Sequence, residues 1–115
     1  MKRGDVFWAD LAPRSGSEQV ERRPVVIVSH DGFNEAPGWR SLIVVPVSTS
    51  ATQAQRGPTA VPLVEGAGGL SRAGVALCHQ VTTLDRAKLT HRLGTLRPDA
   101  LARIEDGLKA ALDLE

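Results

Sequence analysis

Residues 23–29 read RPVVIVS, and how that stretch is read decides the fold. Val25 to Val28 is an unbroken β-branched run, the pattern of a strand covered on both faces. In front of it stand two arginines and a proline, Arg22-Arg23-Pro24. The proline pushes the residue before it toward extended backbone, so the direction of the Arg23 guanidinium is set in advance.

Working outward, residues 41–47, SLIVVPV, form a second run of the same kind. Pro46 cannot donate to a ladder, which predicts an edge or a bulge at that point. In residues 5–11, DVFWADL, alternation puts Val6, Trp8 and Asp10 on one face and Phe7, Ala9 and Leu11 on the other, as in a half-buried strand. Trp8 is expected in the core or at a subunit interface. TAVPLV at 59–64 is a weaker strand and GVALCHQVTTL at 74–84 a long one. Five short strands joined by Gly/Pro-rich connections predict a mainly β chain folded as a small antiparallel barrel.

The last segment changes period. In residues 97–115 Leu101, Ile104, Leu108, Ala111 and Leu112 recur at helical spacing, behind Pro98 and Asp99, which suit a first helical turn. One amphipathic C-terminal α-helix is expected. Gly107 in its interior costs about 1 kcal/mol against alanine, which points to close contact between helix and barrel.

The 115 residues suit a single domain spanning 1–115, long enough to bury a core without disulfides or metal. One cysteine, Cys78, makes no internal disulfide, and near the three histidines there is no zinc-ligand spacing. No cofactor is called for. No stretch reaches the roughly 18–20 apolar residues of a membrane span, and the first ten residues lack a signal-peptide run, so a cytoplasmic protein is expected. The net charge of +1 hides an asymmetry: residues 40–97 carry seven Lys/Arg against two Asp/Glu, and residues 98–115 two against five. Eleven of the fourteen cations are arginine, the side chain whose planar fork grips phosphate. Codon bias would produce the same composition; nucleic acid is the functional reading.

The constellation that can carry chemistry is small. If the first two apolar runs are neighbouring strands, the hydroxyls of Ser48, Thr49 and Ser50 lie beside Arg23, and Glu18 stands on the loop leading to it. A carboxylate, a positioned arginine and a hydroxyl suffice to bind a phosphodiester and stabilise charge during its cleavage. The bland alternatives are an ordinary ion pair of Arg23 with Glu21 or Asp31, a turn at Ser48 and a solvated Glu18.

At these residues the chain resembles the MazF/PemK family of toxin endoribonucleases. The matching stretches are RGDVFWADL, GSEQ, RRPVVIVS with Asn34 in the next loop, VVPVST, GVALCHQVTTLD with KL behind it, and GLKAALDL. They span nearly the whole chain in order. The resemblance implies an SH3-like barrel with a C-terminal helix, forming a homodimer. It also implies metal-independent cleavage of single-stranded RNA at short sequences to 2′,3′-cyclic phosphate and 5′-hydroxyl ends, and inhibition by a cognate antitoxin. Carried over by position, Arg23 is the catalytic arginine and Glu18 the carboxylate; the hydroxyl falls on Ser48, where the family has mostly Thr, and Thr49 beside it fits the family's hydroxyl pair as well, so that either can contact the phosphate. RNA contacts fall on Ser17 and Gln19 beside Glu18, on Arg22 and Thr49, and on Arg56 in the loop 48–58. His79 and Gln80 complete them, His79 standing where the family has an acidic residue.

Cleavage through the ribose 2′-hydroxyl needs a base, a counter-charge for the five-coordinate phosphorus and a proton for the departing 5′-oxygen. Glu18 is the natural base, since arginine stays protonated. His30, His79 and His91 are rival acid–base groups. Trp39 either stacks on a base or anchors its loop on the barrel. Two other functions compete with this reading. Gyrase poisons of the CcdB type share the barrel but use a tryptophan near the C-terminus, where this chain ends AALDLE. A non-enzymatic SH3-like module needs an aromatic groove, hard to build from two Trp, two Phe and no Tyr.

Overall fold

A computed structural model describes residues 1–11, 21–49 and 57–115. The chain is mainly β, an antiparallel arrangement of seven strands with one long C-terminal helix. The elements are β1 (Asp5–Leu11), β2 (Glu21–Ile27), a four-residue helix α1 (Asp31–Asn34), β3 (Ser41–Ser48), β4 (Ala60–Leu63), β5 (Gly74–Leu77), β6 (Thr82–Asp85), β7 (Leu89–Thr95) and α2 (Pro98–Leu112). The strand order is β4-β5-β3-β2-β1-β7, with β6 also paired to β3.

The two apolar runs are the centre of the sheet, as their pattern requires. Val25, Val26, Ile27, Val44 and Val45 are fully buried. Alternation sends them to two separate cores. Val26, Val45 and Val47 meet Val6, Leu96, Ala100 and Ile104 on the helix side. Val25, Ile27, Leu42 and Val44 meet Ala9 on the other, with Phe7 and Leu11 packed against them. Full burial of each such side chain contributes about 1.5–3 kcal/mol.

Pro46 lies on neither an edge strand nor a bulge. Along one side of β3, residues 41–44 pair with β6 and Val47 and Ser48 pair with β5. Pro46 falls in the gap between these partners, where its missing N–H leaves no ladder bond unmade. The same register breaks the long strand expected at 74–84. Val44 faces Thr82 and Val47 faces Ala76, so three residues along β3 span six on the other side. The excess is looped out as the 3₁₀ turn Cys78–Gln80. His79, expected in mid-strand, is therefore exposed in that turn, with Nδ1 3.4 Å from Thr59 Oγ1.

Strand β7 was not anticipated, because most of Leu89–Thr95 is polar and exposed. It pairs with β1 through two register irregularities. Between β7 and the turn at Ala67–Gly69 the backbones nearly touch. A Cβ on Gly69 would overlap the Leu93 carbonyl, and one on Gly94 would lie 2.8 Å from Gly68 O. Only glycine allows that approach.

On α2, Ala100, Ile104 and Gly107 are buried. A Cβ at Gly107 would sit 2.7 Å from Cys78 Sγ and 3.0 Å from Val61 Cγ2, so the helix interior glycine marks the expected close contact. Burial pushes the Cys78 thiol up to about 11, leaving it protonated and inert. The buried Asp5 ties the chain's beginning to β7: its carboxylate accepts from Lys2 N–H at 2.9 Å and from the Thr95 hydroxyl at 2.7 Å.

A candidate phosphodiester site at the open ends of β2 and β3

The β2–β3 ladder stops at Val25 opposite Pro46. Beyond this point β3 pairs with β5 instead, while β2 stays paired with β1 as far as Glu21. Two residues further on each strand stand Arg23 and Ser48, both on the face that carries Val25 and Pro46. Arg22 and Thr49 follow on the opposite face. The two strands, parted from one another here, flank an open cavity of about 350 Å³, lined by all four of these residues together with Glu21 and Trp8. The adjacency of the first two apolar runs, on which the sequence argument depended, is therefore present, and Arg23, Ser48, Arg22 and Thr49 share one cleft.

The two arginines differ as their positions dictate. Arg22 stands opposite Asp10 in the β1–β2 register and its Nε lies 3.1 Å from Asp10 Oδ1. Its side chain is 74% exposed. The Arg23 side chain is 28% exposed and its Nε donates to Glu21 Oε1 at 2.7 Å, with Nη2 on the same carboxylate. The ordinary ion pair and the place in the cleft coexist in Arg23. Ser48 is 8% exposed.

The other expected residues distribute as follows. Ser17, Glu18, Gln19 and Arg56 lie outside the described residues. His79 and Gln80, in the turn after β5, do not line the cleft. Asn34 is buried and structural, its amide donating to Ser29 O at 2.8 Å and to Asp31 Oδ1 at 3.1 Å. His30 caps α1, its Nδ1 accepting from Gly32 N–H at 2.8 Å. Trp39 anchors its own loop: it packs on Phe33 with ring centroids 4.9 Å apart, and its Nε1 donates to Ser41 O at 2.6 Å. Among the described residues no three His, Cys, Asp or Glu side chains are grouped as metal ligands.

Trp8, expected in the core or at a subunit interface, also takes part in the cleft. It is neither wholly core nor removed from the site. Held in β1 between Pro24 and His91, it is half-buried and forms a wall of the cleft. Its ring lies 6.5 Å from the His91 imidazole. The alternation in DVFWADL fixes its face correctly, but not that the core on that face ends at Val6 and opens one pair further along.

The chain is similar to known proteins over nearly its whole length. Endoribonuclease EndoA of Bacillus subtilis is 32% identical over 114 residues, covering 99% of this chain and 96% of that one. Among solved structures, a MazE–MazF complex from Deinococcus radiodurans superposes with a TM-score of 0.77 at 27% identity, covering 100% of this chain and 97% of that chain. A mycobacterial endoribonuclease solved with its cognate antitoxin shares the fold, with a TM-score of 0.80 at 24% identity over 100% and 97% of the two chains. The sequence profile of PemK-like, MazF-like toxins of type II toxin–antitoxin systems matches residues 2–112, and the chain belongs to that family.

Proposed function

We propose that the chain is an endoribonuclease toxin that cuts single-stranded RNA at short sequences, without metal, leaving 2′,3′-cyclic phosphate and 5′-hydroxyl ends. One observation carries the reading: a pre-set arginine and a buried hydroxyl residue line one cleft where two strands part. Arg23 meets the charge that develops on the five-coordinate phosphorus, and Ser48 donates to a non-bridging oxygen. Glu18, just before β2 in the sequence, takes the 2′-hydroxyl proton, and the departing 5′-oxygen takes a proton from water. Arg22 and Thr49 hold the chain either side of the scissile phosphate.

The cavity of about 350 Å³ is at the small end of ligand sites and too small for several nucleotides, which supports a homodimer with RNA lying across both protomers. The surplus of positive charge over residues 40–97 attracts carboxylates as well as phosphates, so an acidic, flexible segment of a cognate antitoxin inhibits by filling the same groove. RNA cleavage of this kind stops translation in a cytoplasmic setting.

The test is incubation of purified protein with mixed-sequence RNA in EDTA, with mapping of the new 5′ ends. Cleavage at a short recurring sequence is expected, and a 2′-deoxy nucleotide at the cut resists. Equal cutting of the 2′-deoxy substrate rejects the mechanism.

A further inference from the structure

The cleft has a second lobe. Trp8, Pro24 and Thr49 also line an adjoining cavity of about 300 Å³ whose far wall is Leu70, Ser71, Arg72 and Leu93. The chemistry changes across the shared residues. The first lobe is ringed by charge, with Glu21, Arg22 and Arg23; the second is mostly apolar, between an indole, a proline ring and two leucines, with one charged group, Arg72, at its rim. A flat apolar slot beside a phosphate-handling cleft suits a nucleobase, whose faces stack on aromatic and aliphatic walls while its edge is hydrogen-bonded.

Arg72 is placed to read that edge. Arg22, Arg23, Arg40, Arg92 and Arg97 are each engaged with a carboxylate, whereas Arg72 makes no ion pair with any described residue. It stands on the exposed segment between Leu70 and Gly74. Its guanidinium offers donors and no acceptor, so on the distinguishing base edge it pairs with O6 of guanine or O4 of uracil and not with the exocyclic amine that adenine and cytosine carry there.

Resting on the endoribonuclease reading, we infer that the lobe between Trp8 and Arg72 binds the base next to the scissile phosphate, and that Arg72 selects the keto bases, guanine or uracil, over adenine and cytosine there. A good bidentate contact discriminates by roughly 10–100-fold.

Four oligoribonucleotides differing only at one nucleotide flanking the mapped cut test this, assayed with the wild type, Arg72→Ala and Arg72→Gln. The wild type is expected to favour keto over amino bases by about 10–100-fold in kcat/KM at one flanking position. Both variants should lose that preference, mainly through a higher KM for the keto substrates, with unchanged thermal midpoints because Arg72 is exposed. A wild type that cleaves RNA with no keto preference at either flanking position overturns the subsite, as do variants that keep the preference. Loss of antitoxin binding with RNA selectivity intact also overturns it, by assigning the lobe to a peptide side chain. A wild type that cuts no RNA rejects the nuclease reading itself.

Discussion

Arg23 and Glu21, two residues apart on one face of β2, are joined by a hydrogen-bonded ion pair, Nε donating to Oε1 at 2.7 Å. Glu21 therefore competes with any phosphate for the guanidinium on which the proposed chemistry depends. The pair is open to solvent chiefly through Glu21, and solvent-accessible pairs contribute about 0.2–1 kcal/mol. Glu21→Gln should tighten RNA binding about 2–5-fold and steepen the fall of log K with log salt by about one. Affinity titrations at several salt concentrations check both; unchanged values show that Glu21 moves aside without cost.

Arg22 and Arg23 are neighbours with different prospects. Arg23→Ala removes a charge held at the cleft wall and should abolish cleavage. Arg22→Ala removes an exposed cation from a pair with Asp10 and should weaken RNA binding with kcat retained. Single-turnover kinetics at saturating RNA separates the two; equal losses of kcat reject the distinction.

Gly107→Ala sets two effects against each other. Helix propensity favours alanine by about 1 kcal/mol. The new methyl would meet Cys78 Sγ at 2.7 Å and Val61 Cγ2 at 3.0 Å, and overpacking costs about 1–3 kcal/mol. Because both neighbours are themselves buried, the clash should win and the urea midpoint should fall. A rise would mean that α2 shifts outward freely.

Asp5 gives a pH prediction. Burial pushes its carboxyl up, but hydrogen bonds from Lys2 N–H, Thr95 and Arg92, with the Arg92 charge, outweigh this and hold it below the ordinary value. A depressed carboxyl stabilises the fold fully above its unfolded value of about 3.9, and that stability is lost as pH falls through the lower folded value. Asp5→Asn should lower stability at neutral pH and flatten the acid limb, as urea midpoints between pH 7 and 2 would show. Asp31 and Asp85, lowered chiefly by backbone hydrogen bonds from Arg3 and Ala87, leave a residual slope.

What could be read beforehand follows from where the information lies. The runs at 23–29 and 41–47 and the periodicity of 97–115 are local, and they yield β2, β3 and α2. The division of 74–84 into β5 and β6 is not local: it is set by the spacing of partners along β3. Strand β7 escaped notice because an edge strand with a solvated face carries little hydrophobic signal. At the site, the Arg23-Pro24 step and the family resemblance led to Arg23 and Ser48. The second lobe was hidden, since Trp8, Leu70 and Leu93 come from three distant segments that only the strand order brings together.

The pairing of Asp5 with Thr95 has a consequence for how the protein comes into being. Trp8 is held on one side by β2, the next strand along the chain, and on the other by β7, the last strand of the sheet and far from β1 in sequence. Closing a loop of that length must precede the contacts that reward it, which makes such topologies slow to fold. A nascent chain therefore carries no finished cleft until β7 has left the ribosome and paired with β1.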